Sequence, residues 1–211
     1  MKYLIAGGGT GGHVYPALAI AKAIEKQDEH AHIEFVGTPR GIEGRIIPAA
    51  GYTLHMLQVG RLNKNVGLLE RLKTLLQLPI SIFKAVVLVL KYQPRMVIGV
   101  GGYASGPALL AAKALGMKTC IWEPNAYPGM ANRILSKFVD HGIAVFPEAK
   151  KHMELKDIEI LPMPVRPEME LAPVRNAMTT DFCVLVFGGS QGARAINEVV
   201  CEAICSGHPA L

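Results

Sequence analysis

Gly7-Gly8-Gly9-Thr10-Gly11-Gly12-His13 is the stretch that decides how this sequence folds. An apolar run, Tyr3-Leu4-Ile5-Ala6, precedes it and reads as a strand. Val14, Ala17, Leu18, Ala21 and Ile24 follow at helical spacing. Strand, glycine turn and helix together bring bare backbone N–H groups up to an anion. Five of the six residues from 7 to 12 are glycine. A Cβ there would obstruct both the tight turn and the approach of a phosphate. His13 falls in the first helical turn, where the positive end of the helix dipole disfavours an imidazolium. A neutral imidazole in that place can accept a proton. The bland reading, a solvent-facing capping histidine, stands beside it.

Outward from this loop the pattern alternates. Strands are expected at 32–36, 53–58, 96–100, 118–122, 141–145 and 159–161. Helices are expected at 41–50, 66–92, from Pro107 to about Leu115, at 130–137 and at 147–154. Pro79 should break or kink the long one. Alternating strands and helices predict an α/β fold, a Rossmann-like parallel sheet with ligands beyond the carboxyl ends of its strands. A second glycine turn, Gly101-Gly102-Tyr103-Ala104-Ser105-Gly106-Pro107, and the loop Glu123-Pro124-Asn125-Ala126-Tyr127-Pro128-Gly129 belong to that edge. Residues 1–161 form the first domain. Residues 162–180, with four prolines, read as a linker. Residues 181–211 start a second domain: a strand at 182–187, then Gly188-Gly189-Ser190-Gln191-Gly192-Ala193-Arg194, then a helix to Cys205. One βα unit does not bury its own strand, so residues 182–187 should need another surface.

Half of the 211 residues are hydrophobic, enough for a real core. Met1-Lys2 leads directly into the first strand, so no signal sequence is expected. Cys120, Cys183, Cys201 and Cys205 form no CxxC pair and read as buried thiols. No metal site is expected, because neither DxD nor HExxH occurs. The net charge of +5 is concentrated. Residues 61–100 carry seven cations, among them Arg71, Lys73 and Lys84, against the single acid Glu70. Such a segment points to an anionic partner: lipid headgroups, nucleic acid or a phosphorylated substrate.

Gly7, Gly9 and Gly12 formally satisfy GxGxxG. A dinucleotide site also needs an acid at the end of the second strand to hold a ribose. That end reads Val36-Gly37-Thr38-Pro39-Arg40, and the first acid, Glu43, lies in the following helix. Arg40 keeps an NADP-binding oxidoreductase as the weaker alternative. Histidine stands where a P-loop has lysine, which disfavours nucleotide hydrolysis.

Together, GGTGGH (8–13), GGYASGP (101–107) and GGSQGAR (188–194) resemble the MurG family of bacterial cell-wall glycosyltransferases. The similarity runs from the first strand to the start of the second domain. It implies a two-domain GT-B fold with the active site between the domains. It implies transfer of GlcNAc from UDP-GlcNAc to the C4 hydroxyl of lipid-linked MurNAc-pentapeptide (lipid I to lipid II), with inversion and without a cofactor. His13 matches the family's proposed base, and Glu123 a further cleft residue assigned to catalysis. Thr10, Gly11, Gly12, Asn125, Arg166 and Ser190 match donor-binding positions. Gly9, Gly102, Tyr103 and Ser105 are expected at the acceptor or its pyrophosphate. Pro124, and Pro162-Met163, depart from the family's usual residues. In this frame the basic segment, with Leu72, Lys73, Leu76, Phe83 and Lys84, is expected to touch an anionic membrane. The protein would be peripheral, on the cytoplasmic face of the bacterial plasma membrane, with no nucleic-acid partner. Residues 1–211 alone should be inactive, because the family's second domain holds most of the donor pocket. A non-catalytic module that binds a lipid pyrophosphate, and a relative using another nucleotide sugar, are the remaining alternatives.

Overall fold

The computed structural model describes residues 1–39, 41–59, 68–164, 184–188 and 193–206, with only the backbone for 68–75. Two compact units divide the chain, Met1–Leu171 and Ala172–Leu211.

The first unit is built on seven parallel strands: β1 (Lys2–Ala6), β2 (His32–Gly37), β3 (Thr53–Met56), β4 (Met96–Gly99), β5 (Lys118–Glu123), β6 (His141–Ala144) and β7 (Ile158–Ile160). Their spatial order is β3-β2-β1-β4-β5-β6-β7. Helices α1 (Gly11–Gln27), α2 (Glu43–Ala49), α3 (Leu68–Tyr92), α4 (Ser105–Ala114) and α5 (Met130–Leu135) connect them, with a 3-10 turn at Pro147–His152.

Period-two alternation within the strands makes two cores. Leu4, Ala6, Val97 and Ile121 face α3 and α4, where Ala85, Val89, Ala108, Leu109 and Ala112 are buried. Ile5, Ile98, Cys120 and Trp122 belong to the other core, with Val14, Ala17 and Ala21 of α1 and Ile47 of α2. Small residues on α1 and α4 let those helices lie close to the sheet.

The chain reverses direction across the sheet between β1 and β4. It builds outward to β3, then returns to place β4 on the other side of β1, with β1 paired to both β2 and β4. Such a switch point opens a crevice at the carboxyl ends of its two strands. The first glycine turn leaves β1 there and the second leaves β4.

Several expectations need correction. Pro79 does not break α3, which is continuous through it. An interior proline costs about 3 kcal/mol, and the burial of Ala85, Val89 and Tyr92 farther along the same helix outweighs it. Beside the buried Ala85 and Val89 on this helix, Val87 and Leu90 are exposed. The expected helix at 147–154 is a 3-10 turn ending at His152.

In the second unit, the described part of the expected strand, 184–187, has no strand structure. Its apolar side chains lie in solvent, Leu185 at 79% and Phe187 at 77% exposure. A strand without a neighbour has no ladder to join. Helix α6 (Arg194–Cys205) does form. Cys201 and Cys205 are exposed on it rather than buried; Cys120 alone among the described cysteines is buried.

Candidate functional site

The two glycine turns interlock at the switch point. Gly101 and Gly102 have φ of +97° and +82°, a region open to glycine and strained for other residues. A Cβ on Gly102 would stand 2.5 Å from the Gly8 carbonyl oxygen. One on Gly101 would stand 2.8 Å from Nε2 and Cδ2 of His13. The imidazole is therefore seated between the turns. His13 Nδ1 lies 3.1 Å from the Gly8 carbonyl oxygen and 3.4 Å from Thr10 Oγ1. A carbonyl only accepts, so a hydrogen bond to Gly8 uses Nδ1–H, whereas one from the Thr10 hydroxyl uses a lone pair on Nδ1. The atom beside Gly101 is Nε2.

Around this ring the backbone N–H groups divide in two. Thr10, the N-cap of α1, and Gly11 and Gly12 in its first turn have no hydrogen-bond acceptor for their N–H among the described residues. They are the orphan donors of a helix start, and the first turn holds no acid. Gly9 is different. Expected to offer its N–H to a pyrophosphate, it donates to Glu43 Oε2 at 2.8 Å.

Glu43 was passed over in the sequence because it lies beyond β2, too late for a ribose. Only 1% exposed, it also accepts from Thr38 N–H at 2.9 Å and Thr38 Oγ1 at 3.0 Å. Gly8, Gly37 and Gly41 leave room for its side chain; a Cβ on Gly37 would stand 2.5 Å from Glu43 Cγ. Three glycines around one acid were the available signal.

Other expected site residues are placed as follows. Tyr103 and Gly102 are half-buried at the second turn. Ser105, expected at the acceptor, is instead sealed in the core: its Oγ donates to Ala6 O at 2.8 Å and Gly101 O at 2.9 Å, tying α4 to both turns. Glu123 ends β5 with 1% exposure and accepts from Asn125 N–H, Asn125 Nδ2, Gly129 N–H and Asn132 Nδ2 at 2.8–3.0 Å. It is a scaffold for the 123–129 loop, and it holds the exposed Asn125 by backbone and side chain together. Arg40, Arg166 and Ser190 lie outside the described residues, as do the side chains of Leu72 and Lys73.

On α3, Leu76, Ile80, Phe83, Val87 and Leu90 are exposed at 49–70%, spaced so that one face runs four turns, with Lys84 exposed beside it. Among the described residues no helix is long and apolar enough to cross a membrane.

The model of the glycosyltransferase family 28 N-terminal domain matches residues 3–143. The UDP-N-acetylglucosamine--N-acetylmuramyl-(pentapeptide) pyrophosphoryl-undecaprenol N-acetylglucosamine transferase of Bdellovibrio bacteriovorus is 49% identical over 204 residues, 97% of this chain and 57% of that protein. The protein of the same name from Myxococcus xanthus is 41% identical, over 98% of this chain and 54% of its own length. The chain thus spans a little over half the length of these relatives. Among solved structures, MurG of Acinetobacter baumannii superposes with a TM-score of 0.76 at 26% identity, covering 98% of this chain and 58% of that one. The UDP-GlcNAc 2-epimerase of Methanocaldococcus jannaschii, at 16% identity, TM-score 0.55 and coverage of 76% and 45%, shares the fold. The likeness to MurG read from three glycine motifs is borne out, and the NADP alternative falls away. By its matched domain and its solved relative, the chain belongs to glycosyltransferase family 28.

Proposed function

We propose that the chain is the acceptor-side part of an inverting N-acetylglucosaminyltransferase that converts lipid I to lipid II with UDP-GlcNAc as donor. The observation that carries this reading is the His13 ring, seated between two glycine turns with its Nε2 edge toward Gly101. Nε2 accepts the proton of the MurNAc C4 hydroxyl as that oxygen attacks C1 of GlcNAc. The bond from C1 to the diphosphate oxygen breaks with its electron pair, and UDP leaves. The opposite-side attack inverts C1. The N–H groups of Thr10, Gly11 and Gly12, at the positive end of α1, face diphosphate charge without a metal. Gly102 and Tyr103 border the acceptor side. Glu123 acts by holding Asn125 toward the donor.

The exposed face of α3 lies on an anionic bilayer. Leu76 and Phe83 enter the interface and Lys84 meets headgroups, which makes the protein peripheral, on the cytoplasmic face of the plasma membrane. The test is a titration of the isotope-labelled chain with a short-chain lipid-pyrophosphoryl-MurNAc-pentapeptide. Amide signals of residues 10–12 and 101–103 should move. In the longer protein, His13→Ala should lower transfer by about 10²–10⁴-fold. Binding that leaves these amides unmoved, or undiminished transfer by His13→Ala, refutes the reading. Binding with no transfer by the longer protein would leave a lipid-pyrophosphate module without chemistry.

A further inference from the structure

Glu43 and His13 touch opposite ends of one peptide group. The N–H of the Gly8–Gly9 peptide donates to Glu43 Oε2 at 2.8 Å, and the C=O of the same peptide faces His13 Nδ1 at 3.1 Å. We propose that Glu43 is a positioning residue that acts on His13 through this peptide, fixing its proton on Nδ1 and its lone pair on Nε2.

The carboxylate receives three donors on two oxygens: Gly9 N–H on one, Thr38 N–H and Thr38 O–H on the other. Among the described residues no cation is a partner of this carboxylate. Its described partners are N–H and O–H groups, and a hydrogen bond to a charged acceptor is about twice as strong as a neutral one. A negative acceptor on the N–H side of a peptide strengthens the carbonyl on its other side as an acceptor. The Gly8 carbonyl therefore favours the Nδ1–H tautomer over the alternative, in which Nδ1 accepts from the Thr10 hydroxyl at 3.4 Å. The hydrogen bond made by one ring nitrogen decides what the other can do. The peptide is also one that Glu43 has to hold. Gly8 and Gly9 have φ of +149° and +92°, so neither has a side chain to stop the peptide turning.

The inference deepens the reading of His13 as the base, and its catalytic meaning rests on that reading. The tautomer itself is read without substrate, so the two fail separately. Ring ¹⁵N shifts of the labelled chain, with His13 assigned by loss of its signals in His13→Gln, report which nitrogen carries the proton when the ring is neutral. The expected result is Nδ1–H as the main form. A main Nε2–H form overturns the inference with no variant needed.

Glu43→Gln removes the charge, and its NH₂ meets a donor whichever way the amide is turned. The Nδ1–H to Nε2–H ratio should fall about fivefold, the difference between a charge-assisted and a neutral hydrogen bond. Thr38→Val, which removes one donor from Glu43 and leaves Gly9 bonded, should keep the native ratio. A purely structural role for Glu43 would lower the melting temperature in both variants and leave the ratio unchanged in both, and that result overturns the inference. Should Glu43→Gln not fold, the tautomer of the unaltered chain still decides.

Discussion

Replacing Gly102 by alanine tests whether the two glycine turns interlock, and Gly116 provides the comparison. Gly116 closes α4 with φ +73° and open space where its Cβ would be. Gly116→Ala therefore carries only the strain of the left-handed region, about 1–2 kcal/mol. Gly102, at φ +82°, carries the same strain and a collision as well: its new methyl would stand 2.5 Å from Gly8 O and 3.1 Å from Gly8 N. Both atoms are backbone. Reaching ordinary contact requires a shift of about 0.8 Å. The first turn resists that shift, because Gly7 N–H is bonded to Val36 O at 2.9 Å and Gly9 N–H to Glu43 at 2.8 Å. Overpacking of this kind costs about 1–3 kcal/mol, so Gly102→Ala should lose about 2–5 kcal/mol in all. Urea unfolding followed by Trp122 is the assay. It is the sole tryptophan and only 2% exposed, so it reports the sheet unit by itself. With a slope of about 2 kcal/mol per molar urea, the Gly102→Ala midpoint should lie about 0.5–1.5 M below that of Gly116→Ala. Equal midpoints would refute the interlock, and with it the seating of His13 between the turns.

Three further outcomes follow from other parts of the molecule. The Lys113 ammonium beside Asp140, opposed by partial burial and joined by two hydrogen bonds from Thr119, draws the Asp140 carboxyl down to about 2. A lowered carboxyl stabilises the fold above its unfolded value and loses that contribution as pH falls toward the folded one. Asp140→Asn should therefore cost about 1–2 kcal/mol near pH 6, after allowance for solvent screening, and this cost should shrink between about pH 4 and pH 2; a constant cost would contradict the assignment. Burial pushes the Cys120 thiol up to about 12, so iodoacetamide should label the exposed Cys201 and Cys205 in the native chain and Cys120 only after unfolding, as read by peptide mass mapping. Vesicles containing anionic lipid should carry the chain upward in flotation. Lys84→Glu and Phe83→Ser should each weaken this severalfold, and binding indifferent to both changes and to lipid charge would remove α3 from the membrane.

The sheet was legible because β1 and β4 at its centre are apolar runs closed by glycine, and the helices between the strands leave few ways to order them in parallel. The glycine turns were legible as tight connections after β1 and β4 for the same local reason. What sequence could not give was direction. Glu123 ends a strand at the functional edge, yet its carboxylate turns inward to four donors. Ser105 sits within a glycine motif, yet its hydroxyl is consumed by two carbonyls beneath it. A polar residue near a ligand edge is equally a means of closing buried backbone, and only the coordinates distinguish the two. The missing strand at 184–187 had another cause. An apolar run reads as a strand, but pairing is a property of two chains' worth of backbone, and none of the described residues supplies the second.

Glu43 also explains why a formal GxGxxG is not a dinucleotide site here. In that fingerprint the second glycine lets the backbone approach a pyrophosphate, and an acid at the end of the second strand reaches outward to a ribose. In this chain the second glycine is Gly9, and the acid lies six residues past Gly37. It turns inward, into space left by Gly8, Gly37 and Gly41, and takes the Gly9 N–H for itself. A carboxylate at that point repels the very anion the motif is read to bind. Among the described residues, the N–H groups of Thr10, Gly11 and Gly12, farther along the chain and directly before His13, have no acceptor. On the proposed reading, the acid that binds no ribose leaves to the anion the donors nearer the imidazole. On the proposed reaction, the departing diphosphate and the hydroxyl proton would both be handled within a single turn of α1.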